Sequence, residues 1–139
     1  MTSTYATNVK AILSGLDTLL KSVTSFNNRV YQGYYKDLGD TYPACLYMPT
    51  RDRPKIAAVR SDHFITVDVL IFMQGGDSTP SEDVNNFIDL AGSVFETIDE
   101  AQDQAWRNCT FTDVNFAFNR DKSLIFYICL MTITFEKRW

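Results

Sequence analysis

The stretch from His63 to Ile98 constrains the fold most, because it reads as a strand, a tight turn and a capped helix in succession. Between Phe64 and Met73 the sequence is F-I-T-V-D-V-L-I-F-M, with Ile65, Val67, Val69, Ile71 and Met73 recurring at period two. Successive side chains of a strand leave on opposite faces, so this series predicts a strand with one buried face. The intervening series, Phe64, Thr66, Asp68, Leu70 and Phe72, is mixed. It is polar enough to meet water, yet Phe64, Leu70 and Phe72 are too apolar for a freely solvated surface. Gln74-Gly75-Gly76-Asp77 breaks the strand, since glycine tolerates the positive φ of a sharp reversal. Thr79-Pro80-Ser81-Glu82 has the form of a capping box, with Pro80 at the first helical position, where its missing N–H costs nothing. Val84, Phe87, Ile88, Ala91, Val94, Phe95 and Ile98 then recur at three and four residues and predict one buried helix face.

A first helix is expected from Asn8 to Val23, with Val9, Ile12, Leu13, Leu16, Leu19, Leu20 and Val23 as its apolar stripe and Phe26-Asn27-Asn28 as its end. Arg29 to Tyr35 reads as a short strand or extended arm, and Tyr42 to Met48 as a strand beginning at a proline. Pro49 to Asp62 is expected as a long charged hairpin loop carrying Arg51, Arg53, Lys55 and Arg60. Loops of that length inside compact domains are uncommon and often functional. Cys109 to Phe118 alternates, with Thr110, Thr112, Val114, Phe116 and Phe118 expected on one side and Asn119-Arg120-Asp121-Lys122 as a turn. Trp106 is expected to pack back onto the body. Leu124 to Phe135 is apolar on both faces through Met131, which places it mid-sheet, and the chain ends on Trp139. The expected architecture is α+β: a single domain over 1–139, a two-layer sandwich of about four mainly antiparallel strands under two helices. Its second sheet face stays open.

The 139 residues suffice for one domain with a real core. A net charge of −4 argues against a non-specific grip on nucleic acid, which needs an excess of Lys and Arg. Met1 to Tyr5 has no basic segment followed by an apolar run, so no secretory signal is expected, and Leu124 to Met131 is too short to cross a bilayer. The three cysteines, Cys45, Cys109 and Cys129, lie in strand-like surroundings and read as small buried hydrophobes.

No catalytic constellation emerges. His63 is the only histidine, too few for a histidine-cysteine metal centre, and no cofactor is expected. Cys45 and His63 could meet across a hairpin as nucleophile and base, but no orienting motif accompanies them. The glycine turn before Thr79 lacks the lysine of a phosphate loop. Asp68 in its apolar strand suits an edge or inter-subunit salt bridge better than catalysis, and Glu82-Asp83 and Asp99-Glu100 fall at helix ends, where carboxylates are commonplace. The Arg51–Arg60 segment lacks aromatics for stacking on DNA, and Asp52 and Asp62 dilute it.

The order of elements carries a resemblance. An amphipathic helix precedes T-Y-P-A-C-L-Y-M-P and a charged loop; a long V/I/F strand, the helix V-N-N-F-I-D-L-A-G-S-V-F-E-T-I and two closing strands follow. From Val9 to Phe135 this resembles the tail terminator and tail-completion proteins of long-tailed bacteriophages, the minor tail protein U-like group. It rests on pattern rather than on an invariant motif. The resemblance implies a virion protein, assembled in the bacterial host cytoplasm, that forms a ring, commonly a hexamer, on the tail tube. Such a ring stops tube polymerisation and offers a face to the head or neck connector, with genomic DNA sliding through its lumen. Interface residues are then expected in the loop (Arg51, Arg53, Lys55, Arg60) and on the open sheet face and tail (Phe64, Asp68, Leu70, Phe72, Trp139). The alternatives are a neck or head-completion subunit, a tail-tube monomer, although those are typically richer in β-structure, and a small ligand-binding or enzymatic α+β domain.

Overall fold

The computed structural model describes residues 4–33, 42–56, 61–76, 79–101, 105–121 and 124–138. Helix α1 (Thr4–Ser22) begins one turn before the expected start and buries Ile12, Leu13, Leu16 and Leu20. A 3-10 turn at Thr24–Phe26 closes it, followed by Asn27 and Asn28 in the left-handed region at φ 48° and 63°. Asparagine tolerates that conformation better than most residues, so the pair ends the 3-10 turn; α1 itself stops at Ser22, short of the expected end at Phe26-Asn27-Asn28. Then come β1 (Val30–Gln32), β2 (Ala44–Asp52), β3 (Lys55–Ile56), β4 (Ser61–Gly75), α2 (Pro80–Asp99), β5 (Asn108–Asp121) and β6 (Leu124–Arg138).

The fold is α+β, with a sheet ordered β1-β2-β4-β6-β5 and the short β3 pairing β4 further along. Among the described strands only β1 and β2 run parallel; the other pairs are antiparallel. The sheet has six strands rather than about four. The three-residue β1 falls within Arg29–Tyr35, expected as a short strand or extended arm, and the two-residue β3 was not expected. The expected long loop shrinks accordingly: β2 runs on to Asp52, and β3 zips onto the start of β4 through Lys55↔Asp62 and Ile56↔Ser61. The segment is therefore largely a hairpin arm.

β4 and β6 pair without interruption from Asp62↔Arg138 to Gly75↔Ile125. On their helix side Ile65, Val67, Val69 and Ile71 meet Phe135, Ile133, Met131 and Cys129, and all eight are buried. Burying one such side chain is worth about 1.5–3 kcal/mol, so this pair of strands supplies much of the core. Trp106 does pack back, its ring 4.6 Å from that of Phe135. Thr79 caps α2 by accepting the Glu82 N–H, with Pro80 at the first helical position. Asp83, expected as an ordinary helix-end carboxylate, is buried and accepts the Gly76 N–H at 3.1 Å.

Two faces differ from expectation. On α2 the buried set is Asp83, Phe87, Leu90, Ala91, Val94 and Ile98, while Val84, Ile88 and Phe95 are exposed. The helix is thus rolled so that Leu90, rather than Val84, Ile88 and Phe95, joins the buried face. In β5 a bulge between Phe111 and Asp113 makes Thr112 an extra residue. A bulge reverses the alternation. Cys109 and Phe111 before it therefore share the helix-side face with Val114, Phe116 and Phe118 after it, whereas Thr110 pairs Thr134 on the other face. Asn119 to Asp121, expected in a turn, belong to β5.

Gly75 is tightly enclosed: a Cβ there would lie 2.7 Å from the Tyr127 ring of β6 and 2.9 Å from the Asp83 carboxylate of α2. Gly75→Ala should lower stability by about 1–3 kcal/mol in urea titration. Gly92→Ala, with open space around the added methyl, should raise it by up to about 1 kcal/mol. A second test uses Tyr47, whose hydroxyl donates to Asp17 of α1 at 2.9 Å. Burial, then this bond, pushes the phenol far above its ordinary range. Its stabilising contribution is whole below the unfolded tyrosine value of about 10 and is lost as pH rises beyond it. Tyr47→Phe should accordingly flatten the alkaline fall in melting temperature.

Candidate functional site

The open face of the sheet is divided. Toward the Gly75 end of β4, Leu70 and Phe72 face away from the helices, beside Leu130 and Ile128 of β6 and Leu46 and Ala44 of β2. Leu46 and Ala44 are buried despite this orientation, and Leu70 and Phe72 are half-buried. Toward the Ser61 end the face turns polar and concave. Thr50, Thr66, Thr112, Thr132 and Thr134 line a hollow together with Phe64, Arg51 and Arg53. These hydroxyls bond within the sheet: Thr66 to Thr134 at 3.2 Å, Thr112 to the Thr132 carbonyl at 3.0 Å, and Thr132 to Asp68 at 3.4 Å. Asp68 is half-buried on a central strand, away from any sheet edge.

The arm stands on a polar clasp. The Asp52 carboxylate takes the His63 Nδ1 at 2.8 Å and the Tyr5 hydroxyl at 3.1 Å, and the Tyr5 and His63 rings meet edge-on at 5.6 Å. The Arg53 N–H donates to the Phe64 carbonyl at 3.0 Å. One clasp thus joins α1, β2 and β4 at the base of the arm. Above it Arg51, Arg53 and Lys55 are exposed, and none forms an ion pair among the described residues. Arg60 and Trp139, the remaining expected interface residues, lie outside the described residues.

The catalytic alternative loses its one geometric pairing. Cys45 lies opposite Ile71, whereas His63 lies eight residues back along β4, roughly 26 Å at strand rise. Among the described residues no group of His, Cys, Asp or Glu could hold a metal ion, and no helix is long and apolar enough to cross a membrane.

A third surface was not expected. α2 roofs β4 and β6 and reaches β5 through Phe87 against Phe116, centroids 5.9 Å apart, Phe95 against Phe111, 4.2 Å apart, and Cys109 Sγ against the Ile98 carbonyl. Beyond those contacts Phe116 and Phe118 are 58% and 75% exposed, beside exposed Val84 and Ile88. Together they form an apolar groove along the α2–β5 edge, floored by Val114, Met131 and Tyr127. The sequence did contain a signal. α2 has apolar residues over a wider arc than one face can bury, and its surplus matches Phe116 and Phe118 on the neighbouring strand.

The chain matches no family model, and no curated protein matches it. Among solved structures it is similar to a chain described as "Virion of native gene transfer agent (GTA) particle", with a TM-score of 0.58 and 7% identity over 93% of this chain and 97% of that chain. At that identity the likeness concerns the fold.

The three thiols yield a direct check of the geometry. Burial pushes the Cys45 thiol far up and that of Cys129 to about 11, while half-buried Cys109 is raised as well. The reactive species is the thiolate, so a water-soluble disulfide reagent at neutral pH should modify the native chain slowly, at Cys109 first. Cys45 and Cys129 should react only on unfolding, as read by peptide mapping.

Proposed function

We propose that this chain is a structural subunit of a phage-like virion. It forms a closed, hexameric ring that caps the tail tube, stops its polymerisation and presents the attachment face for the head or neck. The observation that carries the reading is the near full-length match in fold to a chain of a gene transfer agent virion. The tail-terminator pattern from Val9 to Phe135 supports it, as do surfaces that a lone subunit leaves bare. Monomeric proteins seldom expose a large contiguous apolar patch.

In this reading the arm (Arg51, Arg53, Lys55, Arg60) and the open sheet face (Phe64, Asp68, Leu70, Phe72), with Trp139, serve subunit or tube contacts. The genome passes the lumen without sequence-specific contact, in keeping with a net charge of −4. A neck or head-completion subunit is the second reading, because the similar chain belongs to a virion whose description names the whole particle rather than its tail. Particles lacking this protein separate the two: abnormally long tails belong to a lost terminator, and tails of normal length without heads to a lost neck subunit.

Arg51→Ala with Arg53→Ala should reduce ring formation and tube capping, read by light scattering and negative-stain microscopy. Thermal stability should stay within about 0.5 kcal/mol, as for most exposed positions. A large stability loss would instead give the arm a purely structural role.

A further inference from the structure

The ring reading leaves open which surfaces of neighbouring copies meet. Two exposed surfaces of this chain are opposite in character and lie at opposite sides of the sheet. One is the α2–β5 groove, with Ile88, Phe116 and Phe118 exposed along it. On its helical side α2 carries no lysine or arginine; of its five acidic residues Asp83 is buried against the Gly76 N–H and Asp89 borders the opposite flank beside Leu90. Asp99 continues the exposed Val84–Ile88–Phe95 stripe one turn on, and Glu96 is exposed beside it. Neither pairs with a cation among the described residues. The other surface is the arm, where Arg51, Arg53 and Lys55 are exposed and equally unpaired. In the sequence, Lys55 is followed by the apolar run Ile56-Ala57-Ala58-Val59. The arm grows from the β2 side of β4, whereas β5 ends the sheet on the far side of β6.

We propose that the occupant of the α2–β5 groove is the hairpin arm of a second copy of this chain. Arg51, Arg53 and Lys55 of one subunit meet the α2 carboxylates of the next, and apolar side chains cover Phe116 and Phe118. Because donor and acceptor surfaces differ and sit on opposite edges, the contact is head-to-tail. Such a contact repeats around an axis and closes into a ring, whereas a two-fold contact would stop at a dimer. Complementary charge fixes the register of the arm, and desolvation of the phenylalanines holds it. This assignment rests on the ring reading and specifies its subunit contact.

The test uses the purified full chain and three variants in sedimentation velocity, with melting curves as a control for folding. Arg51→Glu with Arg53→Glu reverses the arm, Glu96→Lys with Asp99→Lys reverses the groove, and Phe118→Ser removes its most exposed ring. Each should weaken assembly by about tenfold or more while leaving the melting temperature near that of the wild type. An equimolar mixture of the two charge-reversed variants should assemble again, because each mutant arm then faces a mutant groove and each native arm a native one. Wild-type chain that assembles while all three variants assemble equally well overturns the contact and leaves the ring standing on other surfaces. Loss of assembly without rescue in the mixture also overturns the pairing of arm with groove. Wild-type chain that stays monomeric in solution overturns this contact, and the tube-capping experiment then decides the ring reading separately.

Discussion

Everything in this fold hangs on one strand pair. β4 and β6 run together from Asp62↔Arg138 to Gly75↔Ile125, and the branched and aromatic residues on their helix side are buried beneath both helices. The period-two pattern sets which side of each strand is apolar. A slip of one residue in the pairing would turn a core face to water, so hydrophobic burial itself fixes the register. Both partners are placed by this pair: β2 and its arm extend from one side of β4, and β5 extends from the far side of β6.

Few buried polar groups appear among the described residues, and each does positional work. Asp83 closes the turn from β4 to α2 by accepting the Gly76 N–H, which brings strand and helix so close that only a glycine fits at position 75. Tyr47 bonds Asp17 and ties α1 to β2. Asp52 gathers His63 and Tyr5 at the base of the arm. A buried polar group is costly unless partnered, so these contacts discriminate against other placements of the helices as well as stabilising this one. The arm therefore projects from a fixed base, which a contact surface between subunits requires.

The two edges of the sheet are unlike. One bears a basic hairpin, the other an apolar groove with exposed Glu96 and Asp99 at the C-terminal end of its helix. The proposed head-to-tail contact would account for the absence of cations on α2 and for the two exposed phenylalanines of β5, and would leave the open sheet face with its threonine hollow to a different partner.

The local elements were legible in the sequence because their signals are local. Alternation marked β4, the Thr79 cap and Pro80 marked the start of α2, and two-sided apolarity placed β6 inside the sheet. What the sequence left open was decided by contacts between distant segments. The roll of α2 brings Leu90, rather than Val84, Ile88 and Phe95, into the buried face, and the face shown by Phe116 and Phe118 depends on a bulge at Thr112 that no spacing in the strand announces. Cys45 and His63 fell far apart because the register of β2 on β4 is set by the whole paired length rather than by either residue. The sequence by itself determined which residues needed burial, since that follows from side-chain chemistry and period. Only the tertiary structure decided which of them stayed uncovered, because one helix of fixed width cannot roof both β6 and the edge strand beside it.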